Sequence, residues 1–485
     1  MSEARELPTR IVIAGDGPLG VLAAIALKRA LPRTEVIVLA IPPDPAAFAE
    51  RVGTALPFTN RFHDHLGIAE ADLVRKAGAS HRLVTRYFGG SGPGQQGAAG
   101  YGAAIDPSMK TAFSREWGGG SRNAETAPPP PRSLGEILAA ACRFAPPTGE
   151  ADSPLAELDY ALRWNVPAYR ALLIETAQGL GVRHERARVT GTVPDGAGGI
   201  AALVMEGEAQ LTADLYVDCG GSGALLLSEL PENRWIDWRG MFPARGLAIG
   251  APAGPMLALE DRASWTPLGW RWELAGRDGR QDFLAVPEGT SDEAIADALG
   301  SEPTTIVRFA PGRQEAAWVG NVVGLGNAAA ELEPLGGIAQ DLAHRQLALL
   351  LELLPGRTID PAERAEFNRR AALMADRAAD WLAAHYASPA PTAQFPTLAL
   401  SPELFRTLDQ FTRRGRLPFA EEAPMLTQEF GALLQAVGVP QGEGAMIAAG
   451  GGSGDATARA FEARAKAALQ AAPPYGEWMT RLLSS

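Results

Sequence analysis

The chain is poor in cysteine and has no long apolar run, and each shortage excludes a class of protein. Only Cys142 and Cys219 occur among its 485 residues. Neither stands in a Cys-x-x-Cys pair, so neither a disulfide framework nor a structural zinc site is expected. No uncharged apolar run reaches the roughly 18 residues of a membrane span. The opening MSEARELPTR lacks the charged-then-apolar order of a secretion signal. We therefore expect a cytosolic protein.

Basic residues are also fewer than acidic residues. The chain has 44 basic and 56 acidic residues and a formal net charge of −12. Nucleic acids and anionic membrane surfaces select for basic patches, so neither is expected as a partner. The hydrophobic fraction of 46% is ordinary for a globular protein, and a chain of this length can bury a large core.

The N-terminal run RIVIAGDGPLGVLAAIALKRALPRTEVIVLA predicts a strand, a glycine turn, a helix and a second strand. We expect the strands at 10–14 and 35–40 and the helix from about 18 to 31, with Pro18 near its start, where proline is tolerated. A strand-helix-strand unit of this kind predicts a parallel sheet. The expected core of the sheet comprises Ile11, Val12, Ile13, Val36, Ile37, Val38, Leu215 and Val217.

The remainder alternates between strand-rich and helix-rich stretches. Apolar periodicity predicts helices at 133–145 and 158–180, after a polyproline-like loop, AETAPPPPRS. The pattern over 182–220 predicts three strands of a meander, after which the chain returns to the parallel sheet. Residues 240–325 predict strand and loop, and helical periodicity dominates from about 339.

The first motif with chemical meaning is GDGPLG at 15–20. Glycines at Gly15, Gly17 and Gly20, between a strand and a helix, let the backbone approach a diphosphate that is held by amides at the helix N-terminus. The alternative is a tight structural turn. Dinucleotide folds usually place an acid at the end of the second strand to hold the ribose; Ala40 stands there, with Asp44 nearby among prolines.

The run ADLYVDCGG predicts a buried strand followed by a glycine turn. The backbone of this turn is the second place where the chain could approach a dinucleotide closely. Taken alone, Asp218 and Gly220 indicate only a strand that runs into a glycine turn. Together with the first motif they favour FAD, because two-part FAD sites close in this way.

Several other residue patterns favour structural roles. Trp270 and Trp272 alternate on a predicted strand and share one face, for which a pair of core aromatics is the commoner explanation. His63 and His65 could share a strand face, but without a third ligand they make a poor metal site. We interpret all six histidines as structural or surface residues. The serine contexts do not match Gly-x-Ser-x-Gly, which disfavours a serine hydrolase.

These segments, in this order, resemble the flavin-dependent tryptophan halogenase family. GDGPLG is similar to the family's FAD motif, and ADLYVDCGGSGALLL is similar to its DLFIDCSGFRGLL. The run FHDHLGIAEADLVRKAGASHRLVTRYFGG resembles the segment that carries the catalytic lysine. GWRWELAGRDG resembles the WxWxIP signature, and WVGNVVGLGNAAAELEPL resembles the flavin and halide segment.

The resemblance implies a fold and a reaction. The implied fold is α/β and Rossmann-like, with a two-part FAD site as in flavoprotein monooxygenases, over 1–338. A substrate region would be inserted at about 89–180 and 225–310, and 339–485 would be mainly helical.

In the implied reaction, FAD that a separate reductase has reduced reacts with oxygen and with a halide, chloride or bromide, to give hypohalous acid. This acid passes through a tunnel to a lysine, which halogenates an electron-rich aromatic ring with help from a glutamate. The cofactor supplies the difficult chemistry.

The resemblance also assigns roles to residues and implies a homodimer. Beyond the two glycine motifs, the implied contacts are Gly326, Asn327 and Ala328 for the flavin, the backbone of Ile338 and Ala339 for the halide, and Trp270 and Trp272 for the tunnel.

Two positions depart from the family pattern where halogen is transferred. The lysine position falls on Arg82 in GASHRLV, and arginine stays protonated, so it is poorly suited to become an N-haloamine. The glutamate position falls on Gly336, because EPLEST is here EPLGGI. Loss of a catalytic acid or base typically costs about 10²–10⁴-fold in rate. A further family phrase, GEATIP, is here Gly53-Thr54-Ala55-Leu56-Pro57 without its acid, and Ala275 replaces the proline of WxWxIP.

Three functions therefore remain open. The first is a halogenase-like enzyme in which Arg82 stands in for the lysine, acting on an indole or phenol. The second is an FAD-dependent oxygenase or oxidase without halogenation. The third is a binding protein of the same fold that no longer holds FAD. The glycine-rich loop at 89–102 offers few side chains from which to infer a substrate, and we expect it to be mobile.

Overall fold

The computed structural model describes residues 6–42, 44–102, 133–150, 152–186, 188–230, 233–442 and 453–484. The predicted polyproline-like loop lies outside these residues except at its last position. The chain forms two compact units. Unit 1 comprises Met1–Gly78, Trp164–Arg239 and Val307–Ala379, and unit 2 comprises Ala79–Arg163, Gly240–Ile306 and Asp380–Ser485.

The described strands follow in chain order. They are β1 (Arg10–Ala14), β2 (Glu35–Leu39), β3 (Ser80–Arg82), β4 (Val84–Phe88), β5 (Gln96–Gly100), β6 (Ala161–Arg163), β7 (Arg183–Glu185), β8 (Val189–Pro194), β9 (Ile200–Met205), β10 (Gln210–Leu211), β11 (Leu215–Asp218), β12 (Trp235–Asp237), β13 (Ala244–Gly250), β14 (Glu260–Trp265), β15 (Trp270–Leu274), β16 (Gln281–Pro287), β17 (Pro303–Arg308), β18 (Gly312–Gln314), β19 (Trp318–Val319), β20 (Val322–Gly324) and β21 (Ala330–Glu331).

The described α-helices are α1 (Pro18–Ala30), α2 (Phe58–His65), α3 (Glu70–Lys76), α4 (Leu134–Ala140), α5 (Val166–Gly179), α6 (Asp292–Leu299), α7 (Ile338–Glu352), α8 (Pro361–Ala384), α9 (Pro389–Gln394), α10 (Pro402–Arg414), α11 (Thr427–Ala436), α12 (Ser453–Ala471) and α13 (Tyr475–Ser484). Short 3₁₀ turns lie at Phe48–Glu50, Leu227–Glu229, Gly326–Ala328 and Leu335–Gly337. Among the residues described, no helix combines the length and the apolar character needed to cross a bilayer.

Unit 1 is built on a six-stranded sheet in the order β19-β20-β11-β1-β2-β7. The strand-helix-strand prediction is confirmed: β1 pairs in parallel with β2, and also with β11, so Ile13 lies beside both Val38 and Val217. The first strand is an unbroken apolar run because a parallel sheet is covered on both faces. All eight predicted core residues are buried: Ile11, Val12, Ile13, Val36, Ile37, Val38, Leu215 and Val217.

The predicted meander is also confirmed. Strands β8, β9 and β10 form an antiparallel sheet, after which β11 returns to the main sheet. The helix prediction at 158–180 is wrong over its first part, because α5 begins only at Val166. Asn165 stops the helix from extending further back: its side chain accepts a hydrogen bond from the amide of Ala168 at 3.0 Å, as an N-cap does.

Unit 2 contains a seven-stranded sheet in the order β17-β13-β16-β15-β14-β4-β5. The prediction of a loop throughout 89–102 is wrong, because β5 pairs with β4 from Gln96 to Gly100. The close packing of α11 explains why β5 has a glycine at 97. A Cβ at Gly97 would lie 2.5 Å from the Cα of Ala436, at the end of α11. The helix packs directly on the strand backbone, which only glycine permits.

The helix predicted at 133–145 is shorter than expected. It ends at Ala140, and Cys142 follows with a φ of 50°. Residues 240–325 are strand and loop as predicted, apart from α6. Helices dominate from Ile338 onward, which confirms the predicted change of character at about 339.

Candidate functional site

The turn between β1 and α1 requires glycine for steric reasons. Gly15 has a φ of +126°, and a Cβ there would lie 2.5 Å from the carbonyl oxygen of Cys219. A Cβ at Gly20 would lie 2.0 Å from the carbonyl oxygen of Gly15. The two glycines therefore allow α1 and β11 to approach the turn closely, which is the geometry a dinucleotide corner needs.

The residue between the first two glycines is held by α5. Arg170 donates from Nε to the carbonyl oxygen of Asp16 at 2.6 Å, and its guanidinium also pairs with the Asp16 carboxylate. Nε2 of His184 lies 3.7 Å from the same carboxylate, and burial lowers the pKa of this histidine. Asp16 therefore ties the corner to α5.

The carboxylate of Glu50 lies at the glycine corner. Its Oε2 accepts a hydrogen bond from the amide of Leu19 at 2.9 Å, and a Cβ at Gly17 would lie 2.6 Å from the same oxygen. The residue is buried, and burial raises the pKa of its carboxyl to about 8, against the opposing effect of the Leu19 amide. Sequence reasoning missed this residue, because Glu50 is 31 positions from Leu19 and belongs to no motif.

The backbone of the corner fits a diphosphate. The N-cap residue of α1 is Gly17, which has no side chain to accept from the first amides of the helix, so these donors suit an anion. One of them, the amide of Leu19, is bonded to Glu50. No acid ends β2, and Asp44 caps its own turn by accepting from the amide of Ala46 at 2.7 Å.

The second glycine turn, after β11, is held by hydrogen bonds to the side chain of Asp218. The Asp218 carboxylate accepts from the amides of Gly220 at 2.9 Å, Leu226 at 2.7 Å and Leu227 at 3.1 Å. Burial raises the pKa of Asp218, while these three bonds oppose the rise. Its side chain therefore orders the turn after β11, and a role in holding a cofactor would have to come from the backbone at Gly220.

The 3₁₀ turn at Gly326–Ala328 lies next to the glycine corner. Asn327 accepts from the amide of Ala49 at 3.2 Å and donates to the carbonyl of Ala46 at 3.0 Å, so it holds the segment that ends in Glu50. A Cβ at Gly326 would lie 2.6 Å from a methyl group of Leu19. The structure thus brings together the first glycine motif and the predicted flavin contacts at 326–328.

Gly336, the residue predicted at the family's glutamate position, lies in backbone that favours glycine. Gly336 and Gly337 have φ values of +66° and +81°, in the left-handed region. A Cβ at Gly337 would lie 2.7 Å from the carbonyl oxygen of Thr54. Ile338 and Ala339 follow as the first, buried residues of α7. The change to glycine is therefore part of the local conformation.

A different carboxyl is buried on the same segment. Glu331 accepts from the Ser222 hydroxyl at 2.7 Å and from the amide of Ala310 at 3.3 Å. Burial raises the pKa of Glu331 to about 7. Sequence reasoning missed this residue, although a glutamate in an apolar run was a usable signal.

In unit 2, Arg82 is part of a buried ion-pair cluster. Its Nη1 lies 3.1 Å from Oδ2 of Asp261, and Nη1 of Arg163 lies 2.9 Å from Oδ1 of the same carboxylate. The Arg82 guanidinium also stands over the ring of Tyr101, 5.6 Å from its centroid. Burial lowers the pKa of Arg82, but Tyr101 and Asp261 more than offset it, and the pKa is raised. Arg82, which the sequence predicts at the family's lysine position, is therefore a fixed cation.

The two tryptophans of β15 pack in the core of unit 2. Trp270 donates from Nε1 to the carbonyl of His385 at 3.1 Å and meets Tyr87 edge to face. Trp272 packs against Phe283 with ring centroids 5.7 Å apart. The prediction that both lie on one strand face is confirmed, and the core explanation accounts for both rings.

The prediction that His63 and His65 share a strand face is wrong, because both lie on α2. Nε2 of His63 bonds the hydroxyl of Tyr169 at 2.7 Å, and the ring of His344 lies 5.9 Å away. Burial lowers the pKa of His63 to about 3. Within the described ranges, no cluster of three or more histidine, cysteine or carboxylate side chains is arranged to hold a metal ion.

Known proteins resemble the chain over most of its length. A family model described as tryptophan halogenase matches residues 10–449. Tryptophan 7-halogenase RebH of Lentzea aerocolonigenes is 26% identical over 422 residues, which are 80% of this chain and 78% of that protein. Tryptophan 7-halogenase KtzQ of Kutzneria sp. (strain 744) is 28% identical over 418 residues, which are 79% and 77% of the two chains.

A solved structure shows the same fold. BrvH, a flavin-dependent halogenase from Brevundimonas sp. BAL3, has a TM-score of 0.84 to this chain at 22% identity, over 98% of this chain and 99% of that one. The predicted α/β, Rossmann-like fold is thereby confirmed. With the family model spanning nearly all of the sequence, the chain belongs to the tryptophan halogenase family.

Proposed function

We propose that this chain is a flavin-dependent oxidoreductase of the halogenase type that acts on a small electron-rich aromatic, such as an indole or a phenol. The observation that carries the proposal is the corner formed by Gly15, Gly17 and Gly20 at the N-terminus of α1. In a member of this family, that corner supports FAD as the cofactor. A separate flavin reductase would supply it in reduced form.

The residues of unit 1 have distinct roles in this proposal. The first amides of α1 hold the diphosphate, and the backbone at Gly220 and the turn at Gly326–Ala328 support the rest of the dinucleotide. The amides of Ile338 and Ala339, at the N-terminus of α7, bind chloride or bromide, because a helix N-terminus favours an anion. When bound, FAD supplies the oxygen chemistry that the side chains cannot.

A second candidate function is an FAD-dependent oxygenase or oxidase without halogenation. Two observations favour it. Arg82 is buried against Asp261 and remains a cation, so it can donate hydrogen bonds but offers no neutral amine. Gly336 brings no carboxylate to the position of the family's glutamate. Both side chains that the family uses for halogen transfer are therefore absent.

The test is a reaction of the full chain with FAD, a flavin reductase, NADH and a panel of indoles and phenols, with chloride, with bromide and without halide. Halogenated product that requires halide supports the first function. Oxygen-dependent product without halogen supports the second and contradicts the first. FAD binding with no product from any substrate contradicts both, and leaves a binding protein of this fold.

A further inference from the structure

The glycine corner already holds a carboxylate that belongs to the chain. Glu50 lies at the end of the 3₁₀ turn Phe48–Glu50, and its Oε2 takes the amide hydrogen of Leu19 at 2.9 Å. That amide belongs to the first turn of α1, where a helix attracts anions. A Cβ at Gly17 would lie only 2.6 Å from the same oxygen. The carboxylate therefore occupies space that the glycine leaves open.

The burial of this carboxylate is poorly compensated. Glu50 is 6% exposed, and among the described residues its Oε1 has no hydrogen-bond partner. A buried carboxylate normally needs several donors or a cation to offset the loss of water. An unsatisfied buried group of this kind calls for an explanation beyond packing.

The neighbouring groups do not neutralise it. Two charges act on Glu50: Asp16 raises the pKa of its carboxyl, and Arg170 lowers it. The guanidinium of Arg170 is engaged by Asp16. Cys219 and Tyr169 also lie near Glu50, and burial raises the pKa of each, so both are neutral at pH 7. Without a dedicated cation, the Glu50 carboxyl has a pKa raised to about 8 and keeps its proton at neutral pH.

The backbone that carries Glu50 is anchored by hydrogen bonds that do not involve its side chain. Asn327 fixes the segment from Ala46 to Ala49 through two hydrogen bonds. The Glu50 amide donates to the carbonyl of Ala47 at 2.9 Å. Rotation about the side-chain bonds of Glu50 would clear the amide of Leu19 without disturbing these contacts.

We propose that the Glu50 carboxylate is an internal competitor for the diphosphate of the dinucleotide, bonded to the Leu19 amide until the ligand displaces it. The inference rests on the proposed function for the identity of the ligand. One amide hydrogen cannot serve both the Glu50 carboxyl oxygen and a diphosphate oxygen, and the carboxyl also occupies the space beside Gly17. The side chain thus lowers the affinity of this chain for FAD and favours its release.

Variants at one position test the competition. Glu50→Ala removes the side chain, and Glu50→Gln keeps an acceptor of the same size that cannot ionise. Glu315→Gln is the matched control, because Glu315 pairs with Arg234 at the surface of the same unit. FAD and ADP carry the diphosphate, whereas riboflavin has no phosphate. Dissociation constants for all three ligands follow from equilibrium titration of the full chain, and circular dichroism verifies that each variant is folded.

We expect Glu50→Ala to bind FAD and ADP about tenfold more tightly than the wild type, since the buried hydrogen bond to the Leu19 amide no longer has to be broken. Glu50→Gln should fall between the two, and Glu315→Gln should match the wild type. Riboflavin affinity should be the same in all four proteins.

The outcomes separate this inference from the proposed function. If the wild type and both Glu50 variants bind FAD equally, the competition is refuted and the flavin function stands. If only the Glu50 variants bind FAD, the competition is supported and the wild type is not a flavoenzyme. If no protein binds FAD or ADP, both proposals are overturned. Equal tightening of riboflavin would also refute the competition, because the gain would not depend on the diphosphate.

Discussion

Arg82 and Asp261 form an ion pair that is shut off from solvent. Nη1 of Arg82 lies 3.1 Å from Oδ2 of Asp261, and neither side chain exposes any surface. Arg163 and the amide of Ala275 occupy the other carboxylate oxygen, at 2.9 and 3.1 Å. Arginine presents several donors in a rigid fork, which lysine lacks. Arg82 therefore has a structural task that a lysine would perform poorly.

The first prediction concerns this pair. Arg82→Met should lower the free energy of unfolding by about 3 kcal/mol, because it leaves the buried Asp261 carboxylate with Arg163 as its one remaining cation among the ion pairs described. Arg262→Met, at the exposed neighbour of Asp261 on β14, should stay within about 0.5 kcal/mol of the wild type. Urea unfolding measures both. A loss of less than about 1 kcal/mol for Arg82→Met would show that the pair does not support the fold.

The second prediction concerns the missing glutamate. Gly336→Glu restores the family's residue, but the φ of +66° should make it cost roughly 1–2 kcal/mol of stability. Gly179→Ala is the control, because Gly179 ends α5 with open space around it and should be neutral or slightly stabilising. We also expect no gain in halogenated product from Gly336→Glu. An equally stable variant with new halogenation would contradict this account.

The third prediction follows from the raised pKa of Glu50. The folded chain keeps a proton on this carboxyl up to pH of about 8, whereas the unfolded chain releases it above about 4.5. The stability of the wild type should therefore fall as the pH rises between these values. Glu50→Gln should match the wild type at pH 4.5 and gain on it by at most about 4 kcal/mol at pH 9.

Urea unfolding of flavin-free protein at several pH values checks this prediction. A constant difference between Glu50→Gln and the wild type across the range would mean that the carboxyl titrates normally. It would not then be buried at the corner as the structure has it.

The fourth prediction concerns His63, whose pKa burial lowers to about 3. Below pH 6.5 the His63 imidazole binds a proton in the unfolded chain but stays neutral in the folded chain. The free energy of unfolding therefore falls as the pH drops from 6.5 towards 3. His63→Gln should flatten this fall by up to about 1.4 kcal/mol per pH unit. His65→Gln, at an exposed residue of the same helix, should leave the slope unchanged. Parallel slopes for His63→Gln and the wild type would exclude a neutral buried imidazole.

Local patterns made part of this structure predictable from the sequence. The alternation of apolar residues and glycines around 10–40 predicted β1, α1 and β2 to within one residue, because strand, turn and helix there depend on neighbours in the chain. The buried core of the sheet followed from the same runs. The positive φ values at Gly15 and Gly336 are likewise consequences of residue type.

Contacts between distant positions were not predictable. Glu50 meets Leu19 across 31 positions, and Arg82 meets Asp261 across 179. No spacing rule connects such pairs. The strand β5 was missed because its glycines and alanines have low strand propensity; its pairing with β4 and packing against α11 override that preference.

Equilibrium dialysis of the full chain against FAD tests most directly the central claim, that the corner after β1 binds a flavin dinucleotide. It measures weak binding that gel filtration would strip away. The account predicts saturable uptake that approaches one FAD per chain, is weakened by competing ADP, and is lost when Gly20 is replaced by valine, whose Cβ would meet the carbonyl of Gly15. Equal FAD on both sides of the membrane for the wild type and for Glu50→Ala would contradict it.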